Sequence, residues 1–398
     1  MLLFFERMSQ SHFETLAIRE QMERTAQNEH AAPLFLTSSF TFDSAEGGAA
    51  LFSGESDGNL YSRFSNPNTS EFARKLAHLE GYNHGIATAS GMAAVFTAFA
   101  ALVKSGDHIV AAANIFGNSL HILQAILPNM GVACTLVEVN DNAAFEQAIQ
   151  PNTKLIFVES PANPTLTLAD LSFLGKLCAE KGLLFLVDNC FATPYLQQPK
   201  RYGAHLVIHS ATKYIDGQGR VLGGAIVGNE TEVGACYDFI RRTGATLSPF
   251  NAWVLSKSLE TLAVRMDRHC SNAQLLCEFL KSHPEVQEVI YPHDIDNPQY
   301  ELAKAQMSQG GGLVGCVVRG GAERGAKFLN ALQMHSLTAN LGDTRSIATH
   351  PASTTHSKLS KEQQLAVGIS PGFLRFSVGL EHHEDIINDV ERALEKSK

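Results

Sequence analysis

Six short, almost unbroken apolar runs, separated by helix-length stretches, constrain this chain more than any other feature. They are Ile86–Ser90, His108–Ala113, Lys154–Glu159, Leu183–Asp188, Leu206–His209 and Ala225–Gly228. Runs without in/out alternation suit parallel strands buried on both faces. The intervening stretch from Leu168 to Lys181 has helical patterning and ends at Gly182, a residue suited to the left-handed C-terminal cap. Strand–helix–strand alternation predicts an α/β domain with a mostly parallel sheet.

Beyond Leu247-Ser-Pro-Phe250 the pattern changes. A long helix is expected from Ala252 to about Ser282, stopping at His283-Pro284. Separate strands at Gly312–Val318 and Phe373–Val378 and a closing helix from Glu384 follow. The expected division is an N-terminal arm over 1–60, a large domain over 61–250 and a smaller C-terminal α+β domain over 251–398. The arm is read as extended and as contributing to a neighbouring subunit.

Composition narrows the function. With 31 Lys+Arg against 40 Asp+Glu the net charge is −9, the wrong sign for nucleic-acid or polybasic membrane binding. The 44% hydrophobic and 18% charged content is that of a folded globular chain. No apolar stretch reaches the roughly 18 residues of a membrane span. The start, Met1 to Met8, has too short an apolar run for a signal peptide and no basic leader. It is read as a disordered or oligomer-packing tail, with Met8 a second candidate start. Seven cysteines, scattered and without a CxxC pair, predict free thiols in a reducing cytoplasm.

Polar residues gather where the apolar runs end, the edge at which open α/β sheets bind ligands. Ser90-Gly91-Met92 joins a strand to a helix, so its amides can face an anion. Asp188 closes a wholly hydrophobic strand, where a carboxylate serves either as a cap or as the partner of a cation. His209-Ser210-Ala-Thr212-Lys213-Tyr closes another. A desolvated lysine forms Schiff bases, an acid one strand away can protonate a pyridine, and hydroxyls with helix amides bind phosphate. Those are the needs of pyridoxal 5′-phosphate (PLP). No metal site is expected. His205 and His209 share a strand face too widely spaced for one ion, His350 and His356 frame a motif, and His382-His383 is read as solvent-facing.

These motifs, with Tyr61-Ser-Arg63-Phe-Ser-Asn66-Pro67, Glu159-Ser-Pro-Ala-Asn163-Pro164, Leu247–Trp253, His350–His356 and Arg375–Glu381, resemble the PLP-dependent Cys/Met-metabolism (trans-sulfuration) family over nearly the whole chain. The resemblance implies the aspartate-aminotransferase fold (fold type I) and a cytoplasmic homotetramer built from tight dimers. It implies Lys213 as the lysine that carries the cofactor and moves the Cα proton, and Asp188 on the pyridine nitrogen. Ser90, Gly91, Met92, Ser210 and Thr212 are implied at the phosphate, joined by Tyr61 and Arg63 from the neighbouring subunit. Glu159 and Asn163 would lie near the ring hydroxyl, and Arg375 would take the substrate carboxylate.

One departure bears on the reaction. Family members commonly stack a tyrosine on the cofactor ring, and this chain has Phe116 in Ile115-Phe116-Gly117. Phenylalanine stacks but donates no proton. A thiol leaving group, with a pKa of about 8.5, needs that proton more than a carboxylate of about 4 does. Phe116 therefore favours γ-replacement on an O-acylhomoserine over γ-elimination of methionine, although Tyr61 of a neighbour offers another phenol. Asp216-Gly-Gln-Gly-Arg220 and Asn340-Leu-Gly-Asp343-Thr-Arg345 resemble the O-succinylhomoserine sulfhydrylase branch, with Asn340 at the substrate and Arg220 or Arg345 as candidates for the succinyl carboxylate. The expected reaction joins O-succinyl-L-homoserine and sulfide to give L-homocysteine and succinate, a step of methionine biosynthesis. Cystathionine γ-synthase, methionine γ-lyase and a non-catalytic family member are the alternatives.

Overall fold

The computed structural model describes residues 11–354, 360–366 and 368–398; the expected tail at 1–8 and His356 lie outside them. Two short helices, Phe13–Arg19 and Ala45–Ser53, interrupt what was expected to be an extended arm. Helix α1 (Pro67–Leu79) starts on Asn66, whose side chain accepts from the Asn68 amide, with Pro67 in the first turn.

The large sheet has seven strands: β1 (His84–Thr88), β2 (His108–Ala112), β3 (Ala133–Val137), β4 (Thr153–Glu159), β5 (Leu184–Asp188), β6 (Leu206–Ser210) and β7 (Gly224–Gly228), in the order β1-β7-β6-β5-β4-β2-β3. All six apolar runs are strands. One correction is needed: β7 runs antiparallel to both neighbours. The connection over 211–223 brings the chain back into the sheet at the same end at which β6 leaves it, with Gly224 opposite Ser210, whereas a parallel neighbour needs a crossover to the far end. Helix α2 (Gly91–Leu102) packs on β6 and β7, and α3 (Leu171–Lys181) on β4 and β5. Gly182 ends α3 at φ 64°. The buried side chains of β2, β4, β5 and β6 form the centre of the larger core, and burying each large aliphatic or aromatic one contributes about 1.5–3 kcal/mol.

The expected single helix after 250 is two, α4 (Pro249–Leu259) and α5 (Leu262–Ser282), broken at Glu260-Thr261. Leu262 and Met266 at the start of α5 belong to the large core. Ala273, Leu276, Cys277 and Leu280 further along belong to a second core. That core backs a five-stranded sheet of β8 (Val286–Ile290), β9 (Leu313–Val318), β10 (Ser336–Leu337), β11 (Ile347–Thr349) and β12 (Phe373–Ser377), ordered β10-β11-β12-β9-β8. Helices α6 (Gly321–Ala331) and α7 (His383–Lys396) cover it. Among the described residues, no helix is long and apolar enough to cross a membrane.

Candidate active site

Strand polarity assembles the site. β1 and β6 both pair antiparallel with β7, so their C-terminal ends meet at the start of β7, where Gly224 lies between Thr88 and Ser210. A Cβ on Gly224 would stand 2.2 Å from the Ser90 carbonyl oxygen. Glycine there admits the Ser90–Met92 turn against β6. Gly91 in turn lies so close to Ser210 that a Cβ would fall 2.5 Å from that of the serine. Ser90 Oγ caps α2 by accepting from the Ala93 amide at 3.1 Å, leaving the first-turn amides of Gly91 and Met92 facing the sheet edge. Thr212 Oγ1 donates to the Gly223 carbonyl at 3.3 Å.

Two strands further along, Glu159 and Asp188 are register partners at the ends of β4 and β5. Glu159 accepts from the Phe116 amide at 2.7 Å and the Asn163 amide at 3.0 Å. Burial, followed by the Asp188 charge, still pushes it to about 8. Burial pushes Asp188 to about 6, against the Cys190 amide it accepts from at 3.0 Å and the nearby His209. Both shifts come from burying two carboxylates side by side, an arrangement that a nearby cation would relieve.

Lys213 follows β6 in a tight turn. Its Nζ donates to Asn340 Oδ1 at 2.7 Å, and burial, with the Arg375 charge adding to it, lowers its pKa. On β12, Arg375 is 2% exposed. It donates from Nη1 to Asn163 Oδ1 at 2.6 Å and from Nη2 to the Asn340 carbonyl at 3.2 Å, while Nε has no partner among the described residues. Asn340 thus touches Lys213 with its side chain and Arg375 with its backbone. Residues from both sheets, far apart in sequence, converge here.

Other expected residues stand elsewhere. Tyr61, 43% exposed, and Arg63 pack on each other and on Phe64, with Arg63 donating to the Arg241 carbonyl. Arg220 donates from Nε to Asp216 Oδ1 at 3.0 Å and also reaches Ser258 Oγ, so its charge is already paired. Arg345 pairs with Asp343 at 3.1 Å, its side chain 67% exposed. His209 is fully buried with Nε2 at 2.7 Å from Glu80 Oε1. His205 Nδ1 accepts from the Phe185 amide at 3.0 Å. Sequence reading missed Glu80, Asn189 and Gln197, which form a buried polar network with His209 behind the strand ends. Glu80 alone carried a signal, a carboxylate just beyond an apolar helix face.

Residues 14–395 match the family model described as Cys/Met metabolism PLP-dependent enzyme. The chain belongs to this family. An O-succinylhomoserine sulfhydrylase of Pseudomonas aeruginosa is 44% identical over 96% of this chain and 95% of its own. An L-methionine gamma-lyase of Porphyromonas gingivalis is 42% identical over 98% of each. A solved Campylobacter jejuni structure, assigned to an O-acetylhomoserine (thiol)-lyase and carrying N'-pyridoxyl-lysine-5'-monophosphate, superposes with a TM-score of 0.94 at 33% identity, covering 97% of this chain and 100% of that one.

The protein is accordingly a PLP-dependent enzyme of sulfur amino-acid metabolism with a small amino-acid substrate, and the expected transferase fold and cofactor hold. The site's chemistry fits PLP. Asp188 could accept a pyridinium, the first-turn amides of α2, brought against Ser210 by Gly91, could take a phosphate, and the lysine is desolvated.

Proposed function

We propose that this enzyme catalyses γ-replacement, converting O-succinyl-L-homoserine and sulfide to L-homocysteine and succinate. The observation that carries the reading is Phe116. Its amide is fixed on Glu159, and its ring, 37% exposed, has no proton to give. A leaving carboxylate is stable as the anion at neutral pH, whereas a leaving thiolate gains from protonation. The similarity to the Pseudomonas aeruginosa sulfhydrylase supports the same reading.

Bound PLP supplies an electron sink that permits ionisation of a substrate C–H bond. The chain's residues do the rest. The amides of Gly91 and Met92 and the hydroxyls of Ser90, Ser210 and Thr212 take the phosphate, and Asp188 holds a proton on the pyridine nitrogen. Glu159 and Asn163 border the ring hydroxyl and orient Phe116 and Arg375. Arg375 takes the α-carboxylate in a bidentate pair, a geometry that lysine does not reproduce. Lys213 removes the Cα proton and returns it. A second proton leaves Cβ as the Cγ–O bond breaks with its electron pair on succinate; sulfide then forms the C–S bond at Cγ, and a proton returns to Cβ. Asn340 holds Lys213 Nζ whenever that nitrogen is free, beside the substrate.

A second copy of the chain is part of the proposal. Leu36, Phe42 and Phe52 stand exposed before Tyr61, as do Leu222 and Phe250, apolar surface that a partner protomer would cover. In the proposed homotetramer, the arm over 1–60 reaches the neighbouring protomer, and Tyr61 and Arg63 complete its site. The proposed cofactor domain spans 61–250 and the small domain 251–398, with α4 and the start of α5 still packed on the larger core.

The test is product analysis by mass spectrometry after holoenzyme receives O-succinylhomoserine with sulfide and cysteine together. Homocysteine as the main product supports the reading. Mainly cystathionine would make the enzyme a cystathionine γ-synthase, and neither product would overturn acyl-substrate γ-replacement.

A further inference from the structure

The Asp216-Gly-Gln-Gly-Arg220 segment has no role in the mechanism above, yet it directly continues the turn that carries Lys213. It is moulded around two charged side chains. Gly217, at φ 71°, lies where a Cβ would be 2.1 Å from Arg265 Nη1, and Gly219, at φ 65°, where one would be 2.6 Å from Asp343 Oδ2. Any other residue at 217 would meet the guanidinium as well as strain the backbone.

Arg265, one turn into α5, is 6% exposed. Its Nη1 donates to the Tyr214 carbonyl at 2.6 Å, and its Nη2 to the carbonyls of Ile215 at 3.2 Å and Ser258 at 2.9 Å. Its Nε donates to Thr261 Oγ1 at 3.3 Å. The two residues after Lys213 are thus held by a single buried cation, and the fully buried Asp216 acts on it as a counter-charge. From the other side, the Thr344 amide donates to the Gly217 carbonyl at 2.9 Å, and Gly342 packs on the Tyr214 amide. A desolvated guanidinium held on main-chain carbonyls costs much to bury, and among its hydrogen-bond partners are the two carbonyls that follow Lys213.

We propose that Arg265 is a positioning residue for Lys213, setting through the carbonyls of Tyr214 and Ile215 where the lysine amine stands between Asn340 and the cofactor. This inference rests on Lys213 being the lysine that carries PLP. The charged and titratable groups acting on Lys213 are Cys190, after β5, and Arg375, on β12. Arg265 acts through backbone it holds, from α5.

The test uses the holoenzyme with Arg265→Lys, Gly217→Ala and the double variant. Borohydride fixation and peptide mapping check Lys213 itself; label on another lysine would defeat that underlying assignment separately. Thermal melting establishes which variants fold. In folded Arg265→Lys, the expected results are a fall in turnover on the order of 10²-fold with KM little changed, and a shift of at least about 0.5 unit in the pH midpoint of the lysine–cofactor absorption band. Gly217→Ala keeps its backbone strain but loses its clash once Nη1 is gone, so the two changes together should cost less than their sum. A wild-type midpoint and turnover in folded Arg265→Lys, or simple additivity, would overturn the proposal. Should Arg265→Lys fail to fold, Thr261→Val removes one Arg265 partner and carries the same readout, a smaller shift supporting the proposal and none refuting it.

Discussion

In the proposed reaction, Phe116 sets the leaving-group chemistry by what it lacks. Restoring a phenol with Phe116→Tyr should leave melting unchanged and raise 2-oxobutanoate release from methionine by about tenfold or more, the scale of a positioned general acid. An unchanged rate would remove the leaving-group argument. The acid pair makes a second residue-level prediction, for cofactor-free protein. Glu159 at about 8 and Asp188 at about 6 both lie above ordinary carboxylates. The folded chain therefore keeps protons that the unfolded chain releases. The stability they contribute is fully present below about pH 4 and is lost as pH rises through the folded values. Asp188→Asn should flatten the decline of the melting temperature over that window, and added PLP should reverse it in wild type. A parallel pH profile in the variant would contradict the assignment.

At the scale of elements, glycine decides whether the strand ends meet. Gly224→Ala would drive a Cβ against the Ser90 carbonyl and push the start of α2 away from Ser210. Faster loss of PLP on gel filtration is expected, with the large core intact; retention equal to wild type would show that the turn has room to move. The same scale shows what was legible in advance. The central strands could be read because both faces are buried and the sequence is apolar throughout. β3 escaped notice because its residues are mostly half-exposed, and β8 because Gln287 and Glu288 break its pattern. The break between α4 and α5 was hidden because Glu260-Thr261 does not interrupt the helical periodicity. Arg375, in the middle of β12, was reached only through the family resemblance, whereas Lys213 and Asp188 were legible as residue types at or just beyond strand ends. Arg265 was not, since its partners are backbone carbonyls, which no pattern of side chains encodes.

For the whole molecule, two cores joined by α5 and an exposed arm frame one site per protomer, which in the proposed assembly a second copy completes. Mixing is the corresponding test. Arg63→Ala and Lys213→Ala, each inactive alone, should recover roughly a quarter of wild-type activity when unfolded and refolded together, because each hybrid dimer regains one intact site. No recovery would mean that Arg63 serves its own protomer.

The central claim is that the cleft releases a carboxylate in preference to a thiolate. It is tested most directly by comparing kcat/KM of one holoenzyme preparation for O-succinylhomoserine with sulfide, read as succinate, and for methionine alone, read as methanethiol. The account predicts a preference for the acyl substrate of at least about 10²-fold. Equal values, or faster release of methanethiol, would contradict it.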